Sequence, residues 1–314
     1  MIEITGYSAD RRAEWNDFVS AAKNGSFLFD RDYMEYHADR FCDYSLMFFN
    51  QDKLCAVLPS NVKDDCCDSH GGLTYGGVIS GSDMKTATML SLFDALIVRL
   101  REAGIKKLVY KPVPHIYHRM PAEEDLYALF RKDASLCSRQ VSTAVCPQNR
   151  PGYSKGRKAC VSKARRFSLA IREAHTAEDI NSFWQILTGE LQARRQAAPV
   201  HTADEMSLLK SRFPKNIRLF GAYAGDDMLS GVLIYENETT AHCQYIAAGE
   251  RGRECCAPDF LMDKLLTETF VEKRWFDWGT SNHDGGRVLD EQLILNKESF
   301  GGRAVCYDAY EIKL

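Results

Sequence analysis

Along this chain, apolar runs of strand length and longer stretches of helical period follow one another in the same order twice. In the first half, the apolar runs 46–50 and 54–58 flank the polar tripeptide Gln51-Asp52-Lys53, which predicts a β-hairpin. The glycine-rich segment 71–79 reads as a further strand. From 84 to 103, Leu90, Phe93, Leu96, Ile97 and Leu100 recur at spacings of three and four, the period of an amphipathic helix, and Gly104 suits its C-cap. Residues 106–111 resume as a strand, which Pro112 ends. The second half repeats the order. Strands 217–223 and 228–235 flank a turn at 225–227, strand 242–248 comes next, a loop passes through Gly249 and Gly252, a helix covers 257–273, and a strand covers 275–279.

Matching elements are offset by about 170–175 residues: Asp52 answers to Asp226, Tyr75 to Tyr245, and Gly104 to Arg274. Two related domains are therefore expected, 1–150 and 151–314, each of a size that folds alone. A long helix between two strands implies a right-handed crossover joining parallel neighbours, whereas the hairpins are antiparallel, so the fold class is α/β with a mixed sheet.

Composition narrows the functional classes. Hydrophobic residues make up 45% and charged residues 26%, enough to bury a core, and the net charge of -3 excludes a whole-surface attraction to nucleic acid or anionic lipid. No apolar stretch reaches the roughly 18–20 residues of a membrane-spanning helix, and the N-terminus lacks the pattern of a signal peptide, so a cytoplasmic protein without a membrane span is expected. The eleven cysteines include no Cys-x-x-Cys spacing and read as reduced packing residues. His115 and His118 have no spaced carboxylate or thiol to complete a metal site, so no metal is expected.

Three stretches carry a resemblance. The C-terminal run Trp275-Phe-Asp-Trp-Gly-Thr-Ser-Asn282, then Asp284-Gly-Gly286, then Asn296-Lys-Glu-Ser-Phe-Gly-Gly302 is similar to the ending of the FemABX aminoacyltransferases, in which Phe-Lys precedes Phe-Gly. Here Lys297 and Phe300-Gly301 match, and Asn296 replaces the aromatic residue. The basic segment Lys155-Gly-Arg-Lys-Ala-Cys-Val-Ser-Lys-Ala-Arg-Arg166 resembles the one that opens the second FemABX domain, and up to Arg172 it holds seven basic residues and no acid. The order hairpin, strand, long helix, strand resembles the GNAT N-acyltransferase core, and its duplication resembles FemABX and BioF-like acetyltransferase proteins. That resemblance implies two tandem GNAT-like (acyl-CoA N-acyltransferase) domains, the first without its own active site. The coiled-coil arm of some FemABX enzymes is absent. The GNAT phosphate fingerprint, Gln/Arg-x-x-Gly-x-Gly/Ala, is met only in part by Gly249-Glu-Arg-Gly-Arg-Glu-Cys-Cys-Ala257, where Arg251 and Gly252 match but Glu254 stands in place of glycine.

Acyl transfer to an amine needs a held donor, a deprotonated amine and a stabilised oxyanion. A helix N-terminus attracts anions, so the donor is expected along Tyr245, Ala247, Ala248, Arg251, Gly252, Arg253 and Ala257. The end of the last core strand, the edge where α/β folds bind ligands, offers Trp278, Thr280, Ser281 and Asn282 to the acceptor; Lys111, His115 and Tyr117 end the matching strand of the first half. Lys297 is the resemblance-based catalytic cation, and Glu250, His283 and Asp284 are candidate general bases. Each of these has a plain structural reading beside it, as turn chemistry, a stiffened loop or a surface ion pair.

Two enzymatic readings result, which differ in donor. One is an N-acyltransferase that moves an acetyl or other acyl group from acyl-CoA to a small-molecule or peptide amine. The other is an aminoacyl-tRNA-dependent aminoacyltransferase acting on a peptide or cell-wall precursor, with tRNA on the basic segment 155–172. The third reading is a non-catalytic binding module with a degenerate GNAT fold.

Overall fold

The computed structural model describes residues 2–314, the side chain of Arg195 excepted. The chain forms two compact units. One takes the chain up to Val141 with Asn282–Val288 and Cys306–Leu314; the other takes Ser142–Ser281 and Leu289–Val305. In chain order the main elements are strand β1 (Ile2–Gly6), helix α1 (Arg12–Ala21), strands β2 (Leu46–Asn50), β3 (Lys53–Leu58), β4 (Cys66–Asp68) and β5 (Ile79–Ser80), helix α2 (Thr86–Glu102), strand β6 (Lys107–Tyr110), helix α3 (Glu124–Arg131) and strand β7 (Ser135–Val145). Next come helix α4 (Lys155–Ala164), strand β8 (Ala170–Ala174), helices α5 (Ala177–Arg195) and α6 (Ala203–Arg212), and strands β9 (Ile217–Ala224), β10 (Asp227–Glu236) and β11 (Thr240–Ala248). Helices α7 (Glu250–Glu254) and α8 (Ala257–Lys264), strand β12 (Trp275–Thr280), helix α9 (Glu291–Glu298) and strand β13 (Arg303–Lys313) complete the chain.

In the first unit the expected hairpin is β2–β3, and its turn places Gln51 and Asp52 both in the left-handed region, at φ 51° and 62°. Two such residues in succession match the right-handed twist of the strands they join. Helix α2 buries Met89, Leu92, Phe93, Leu96 and Leu100 against Phe48, Leu58 and Leu108, so the core-facing stripe is turned slightly from the expected one, and Leu90 and Ile97 lie at its margin. Gly104 caps this helix at φ 74°.

The glycine-rich segment 71–79 is not the expected strand: only Ile79–Ser80 pairs, with β3. The parallel partner of β6 is instead β4, through Cys66↔Lys107, Cys67↔Leu108 and Asp68↔Val109. The glycines serve close approach. A side chain on Gly76 would sit 2.2 Å from the Ser69 carbonyl oxygen, and one on Gly77, at φ 71°, would sit 2.7 Å from the Tyr110 hydroxyl.

In the second unit the strand order is β8-β9-β10-β11-β12, with the end of β7 (from Ser142) next to β12. Every pairing in it is antiparallel except β11 with β12, which α8 connects. The expected long helix runs as α8 and then a π-helical turn, Leu265–Thr269, so it stops short of Lys273. Leu261, Leu265, Phe270, Phe276 and Trp278 pack there with Phe220, Val232 and Ile234 as the core. On the opposite face α5 begins with a capping box at Thr176 and Asp179, and Phe183 lies so close over the sheet that a side chain on Gly231 would meet its ring at 2.4 Å. Among the described residues no helix is long and apolar enough to cross a membrane.

One buried acid gives the first unit a pH signature. Asp125 accepts from the Tyr110 hydroxyl at 2.7 Å and from Leu126 N at 2.8 Å, and burial pushes its carboxyl up to about 6. Between the unfolded value of 3.8 and that raised value the folded state holds more protons than the unfolded one, so stability falls as pH rises through this window. Asp125→Asn should flatten the loss between about pH 4 and 6 in denaturant melts, and an unchanged slope would assign it to another group.

Candidate active site

The chemistry-bearing residues of the second unit gather where β11 and β12 part. The parallel ladder pairs Thr240↔Trp275, Ala241↔Phe276 and His242↔Asp277, after which β11 runs on to Ala248 and β12 to Thr280. Both strands bulge just past the last pair. On β11, Gln244 is the extra residue between Cys243, opposite Ile234, and Tyr245, opposite Leu233. On β12, Trp278 and Gly279 together face Thr143 of β7. A bulge bends its strand and raises its twist, so the fork is built into the backbone of both strands.

His242 and Asp277, the last pair before the fork, share a hydrogen bond from His242 Nδ1 to Asp277 Oδ2 of 2.7 Å. Asp277 is fully buried, and its other oxygen accepts from Ser142 Oγ at 2.5 Å and from Gly279 N at 3.1 Å. A buried carboxylate with both oxygens satisfied is fixed in direction. It sets the imidazole tautomer: Nδ1 carries the proton and Nε2 the lone pair. The ring edge lies beside Gly279, where a Cβ would stand 3.3 Å from His242 Cε1 and the φ of 76° suits glycine.

Lys297 reaches the same place from α9. Its ammonium is buried and donates to the carbonyls of Gly279 and Thr280, both at 2.8 Å. The residues of the FemABX-like ending seat it. Phe300 stacks on Trp278 with ring centres 5.9 Å apart, Gly301 holds φ 95° where a side chain would strike the Pro151 carbonyl at 2.3 Å, and Gly302 leaves room for the Thr143 methyl group, 2.4 Å from where its Cβ would be. Burial drives the Cys243 thiol, which lies in the field of both Asp277 and Lys297, well above its ordinary range. Thr143 Oγ1 and Ser281 Oγ are buried and have no hydrogen-bond partner among the described residues.

The segment expected to hold donor phosphates is built differently. It is not a loop: Gly249 precedes the short helix α7, and a side chain on Gly252 would meet the Leu229 carbonyl oxygen at 2.2 Å, so this glycine serves packing. Arg251 pairs with Asp227 at 3.2 Å on the surface; Arg253 bonds the Ala248 carbonyl and lies 3.8 Å from Glu190, which also takes the Ala248 N–H at 2.8 Å. Ala247 and Ala257 are core residues, and Tyr245 donates to or accepts from His201 Nδ1 at 2.8 Å. At the N-terminus of α8, Cys256 holds φ 57°, Pro258 has no N–H, Phe260 N bonds Cys256 O, and Asp259 places a carboxylate in the first turn beside Arg157. The first turn of α8 thus already holds a carboxylate, paired with Arg157, and a proline without an N–H.

Of the other expected residues, Glu250 opens α7 of the second unit, and the rest lie in the first unit. His283 and Asp284 are exposed, and Asn282 is tied to Val141 N at 2.6 Å. Lys111 donates to the carbonyls of His70 at 2.9 Å and Leu73 at 2.5 Å, and burial lowers its ammonium to about 8. Tyr117 shares a 2.9 Å hydrogen bond with Tyr307, and His115 is exposed. Sequence reasoning does not single out His242, Asp277 and Ser142 as a group. The available signal is positional: in two parallel strands joined by a crossover, His242 and Asp277 each stand third.

No protein-family model and no curated protein matches the chain. Solved structures do match it over nearly its full length. FemX aligns over 99% of this chain and 97% of its own at TM-score 0.70 and 10% identity. L-PGS from Bacillus licheniformis aligns over 96% and 91% at TM-score 0.63 and 10% identity, and a tandem GNAT protein from the clavulanic acid biosynthesis pathway over 100% and 98% at TM-score 0.52 and 11% identity. The chain has a FemX-like tandem GNAT fold. Within that fold the candidate site is the β11–β12 fork of the second GNAT-like unit, and Lys297 is part of its frame.

Because Lys297 ties two carbonyls that lie past the last ladder pair, Lys297→Met should lower stability by about 2–3 kcal/mol, the cost of leaving buried acceptors unpaired. Chemical denaturation measures this directly. A melt indistinguishable from that of the unaltered protein would show that the lysine does not frame the fork.

Proposed function

We propose that the protein is an N-acyltransferase whose chemistry takes place at the β11–β12 fork of its second unit, with His242 as the general base. The observation that carries this reading is the relay from Ser142 through buried Asp277 to His242 at the point where the two strands separate. His242 Nε2 takes a proton from the acceptor amine as its nitrogen attacks the acyl carbonyl. A C–N bond forms, the bond from the carbonyl carbon to the donor breaks, and the imidazolium returns the proton to the departing donor atom. Asp277 stabilises the imidazolium and keeps the ring aligned. Lys297 holds the Gly279–Thr280 backbone in place beside the ring.

An aminoacyl ester of tRNA is the donor that the surroundings favour. Helix α4 turns Val161 and Ala164 inward and leaves Lys155, Lys158, Lys163 and, just beyond it, Arg166 exposed. The basic residues thus lie on open surface, as a backbone-tracking contact to a polyanion requires. The resemblance to FemABX aminoacyltransferases agrees with this choice. An acyl-CoA donor is the second reading, supported by the match with a tandem GNAT protein.

The first unit is read as non-catalytic. Past its own parallel pair, Ser69 N bonds Val109 O, Lys111 N bonds Ser69 Oγ and Gly76 N bonds Lys111 O, so the equivalent fork is stitched shut.

His242→Gln should lower turnover about 100–10,000-fold while leaving the melting temperature in place. The assay offers acetyl-CoA and a set of aminoacyl-tRNAs with peptide and small-molecule amines, and follows label transfer. Reversing Lys158 and Lys163 to Glu should weaken tRNA binding and flatten its salt dependence. Transfer from acetyl-CoA alone would replace the donor and leave the base intact; full activity of His242→Gln would remove the base.

A further inference from the structure

A second group of reactive side chains lies in the same unit, and it does not depend on the functional reading above. Cys160 is half-buried on α4, and Cys256 is the buried left-handed residue that precedes α8. Their sulfurs and a carboxylate oxygen of Asp259 all lie within 4.8 Å of one another, although the two cysteines are far apart in sequence. Packing holds them there: Val161, Ala164, Cys256 and Phe260 form one small apolar cluster with Cys160 at its margin.

Three ligand-type atoms at this spacing suit a metal ion, but the charges around them do not. The Arg157 guanidinium contacts Asp259 and is itself fixed by Ser299 Oγ at 2.9 Å, by the Asn296 carbonyl at 3.3 Å and by the Phe300 ring, 4.0 Å away. Burial and the neighbouring Cys160 thiol raise the Cys256 thiol, and the positive charge of Lys163 opposes that rise. Fixed cations repel a divalent ion, whereas a thiol of the pair can still react with a disulfide, which its thiolate form attacks. The two thiols are in side-chain contact, and a disulfide would bring the sulfurs to about 2.05 Å.

We propose that Cys160 and Cys256 are a dithiol modification site that takes low-molecular-weight disulfides and closes to an intramolecular disulfide. Cys160, the more exposed, attacks the disulfide as thiolate, forming a mixed disulfide and releasing one thiol. Cys256 then attacks the Cys160 sulfur, and the second thiol leaves with the proton that Cys256 gives up. One disulfide is reduced to two thiols and the two cysteines are oxidised to one cystine. The bond ties the basic helix α4 to the start of α8.

The test treats the full chain with oxidised glutathione under native conditions, then blocks free thiols and maps peptides by mass spectrometry. The unaltered protein should lose two hydrogen masses and yield a peptide joining 160 to 256. Cys256→Ser should instead retain one glutathione on Cys160, and Cys160→Ser should do neither at this site. If Cys256→Ser fails to fold, the map of the unaltered protein still decides. A cross-link elsewhere, a stable glutathione adduct on Cys160 of the unaltered protein, no reaction at either residue, or zinc copurifying until both thiols are blocked would each overturn the proposal.

Discussion

The fork of the second unit depends on one constraint: a carboxylate, Asp277, is buried without any exposure at the last rung of a parallel ladder. A charge there is tolerable only when both oxygens are paired, and the three partners are Ser142 on the neighbouring strand, Gly279 N past the bulge and His242 across the ladder. Each partner fixes something else. Ser142 locks the register of β7 against β12, Gly279 sets the bulge, and His242 acquires its tautomer and direction. Loss of the carboxylate would therefore loosen sheet geometry and chemistry together.

A second charged group completes the frame. Past the bulge the carbonyls of Gly279 and Thr280 are bonded by a buried ammonium, Lys297, which stands in for a neighbouring strand. The first unit uses the same device: Lys111 caps the carbonyls of His70 and Leu73 just past its own parallel pair. The outcomes differ because the backbone takes a different course beyond each parallel pair. In the first unit the chain folds back through Ser69 and Gly76 and consumes the backbone groups at the fork, whereas in the second β11 continues as a strand, past its bulge, to Ala248.

Much of the architecture was legible in the sequence because the periods of strand and helix are local and were written twice. The two hairpins, α2, α8 and β12 all follow from runs of apolar residues and their turns. The parallel partner in the first unit was not legible, since Cys66-Cys67-Asp68 is short and comes after two aspartates that read as a turn, while glycines 71–77 mimic a strand that close packing with Ser69 and Tyr110 replaces. The site was legible in part. Lys297 was found through its motif, and the structure gives the reason for that motif: Phe300, Gly301 and Gly302 are needed to pass the chain between Trp278, Pro151 and Thr143. Asp277 stands at the strand end that the sequence marks as a ligand edge, but His242 and its pairing with Asp277 escaped because what joins them is strand register across 35 residues, which no local pattern encodes.

The start of α8 shows how one helix end can be turned from an anion site to something else. An N-terminus attracts phosphate through unpaired N–H groups and the helix dipole. Here proline removes one donor and Asp259 supplies a negative charge from within the chain. That internal anion needs a cation, and Arg157 of α4 provides it, with Arg165 and Asp263 repeating the contact at 3.5 Å along α8. The basic helix is thus held through Arg157, which directs its charge inward, while its lysines, and Arg166 just beyond it, face outward. Division of labour between the two residue types follows their chemistry: the guanidinium fork suits fixed, buried carboxylates, and the flexible, strongly hydrated ammonium suits an open surface on which a polyanion can move.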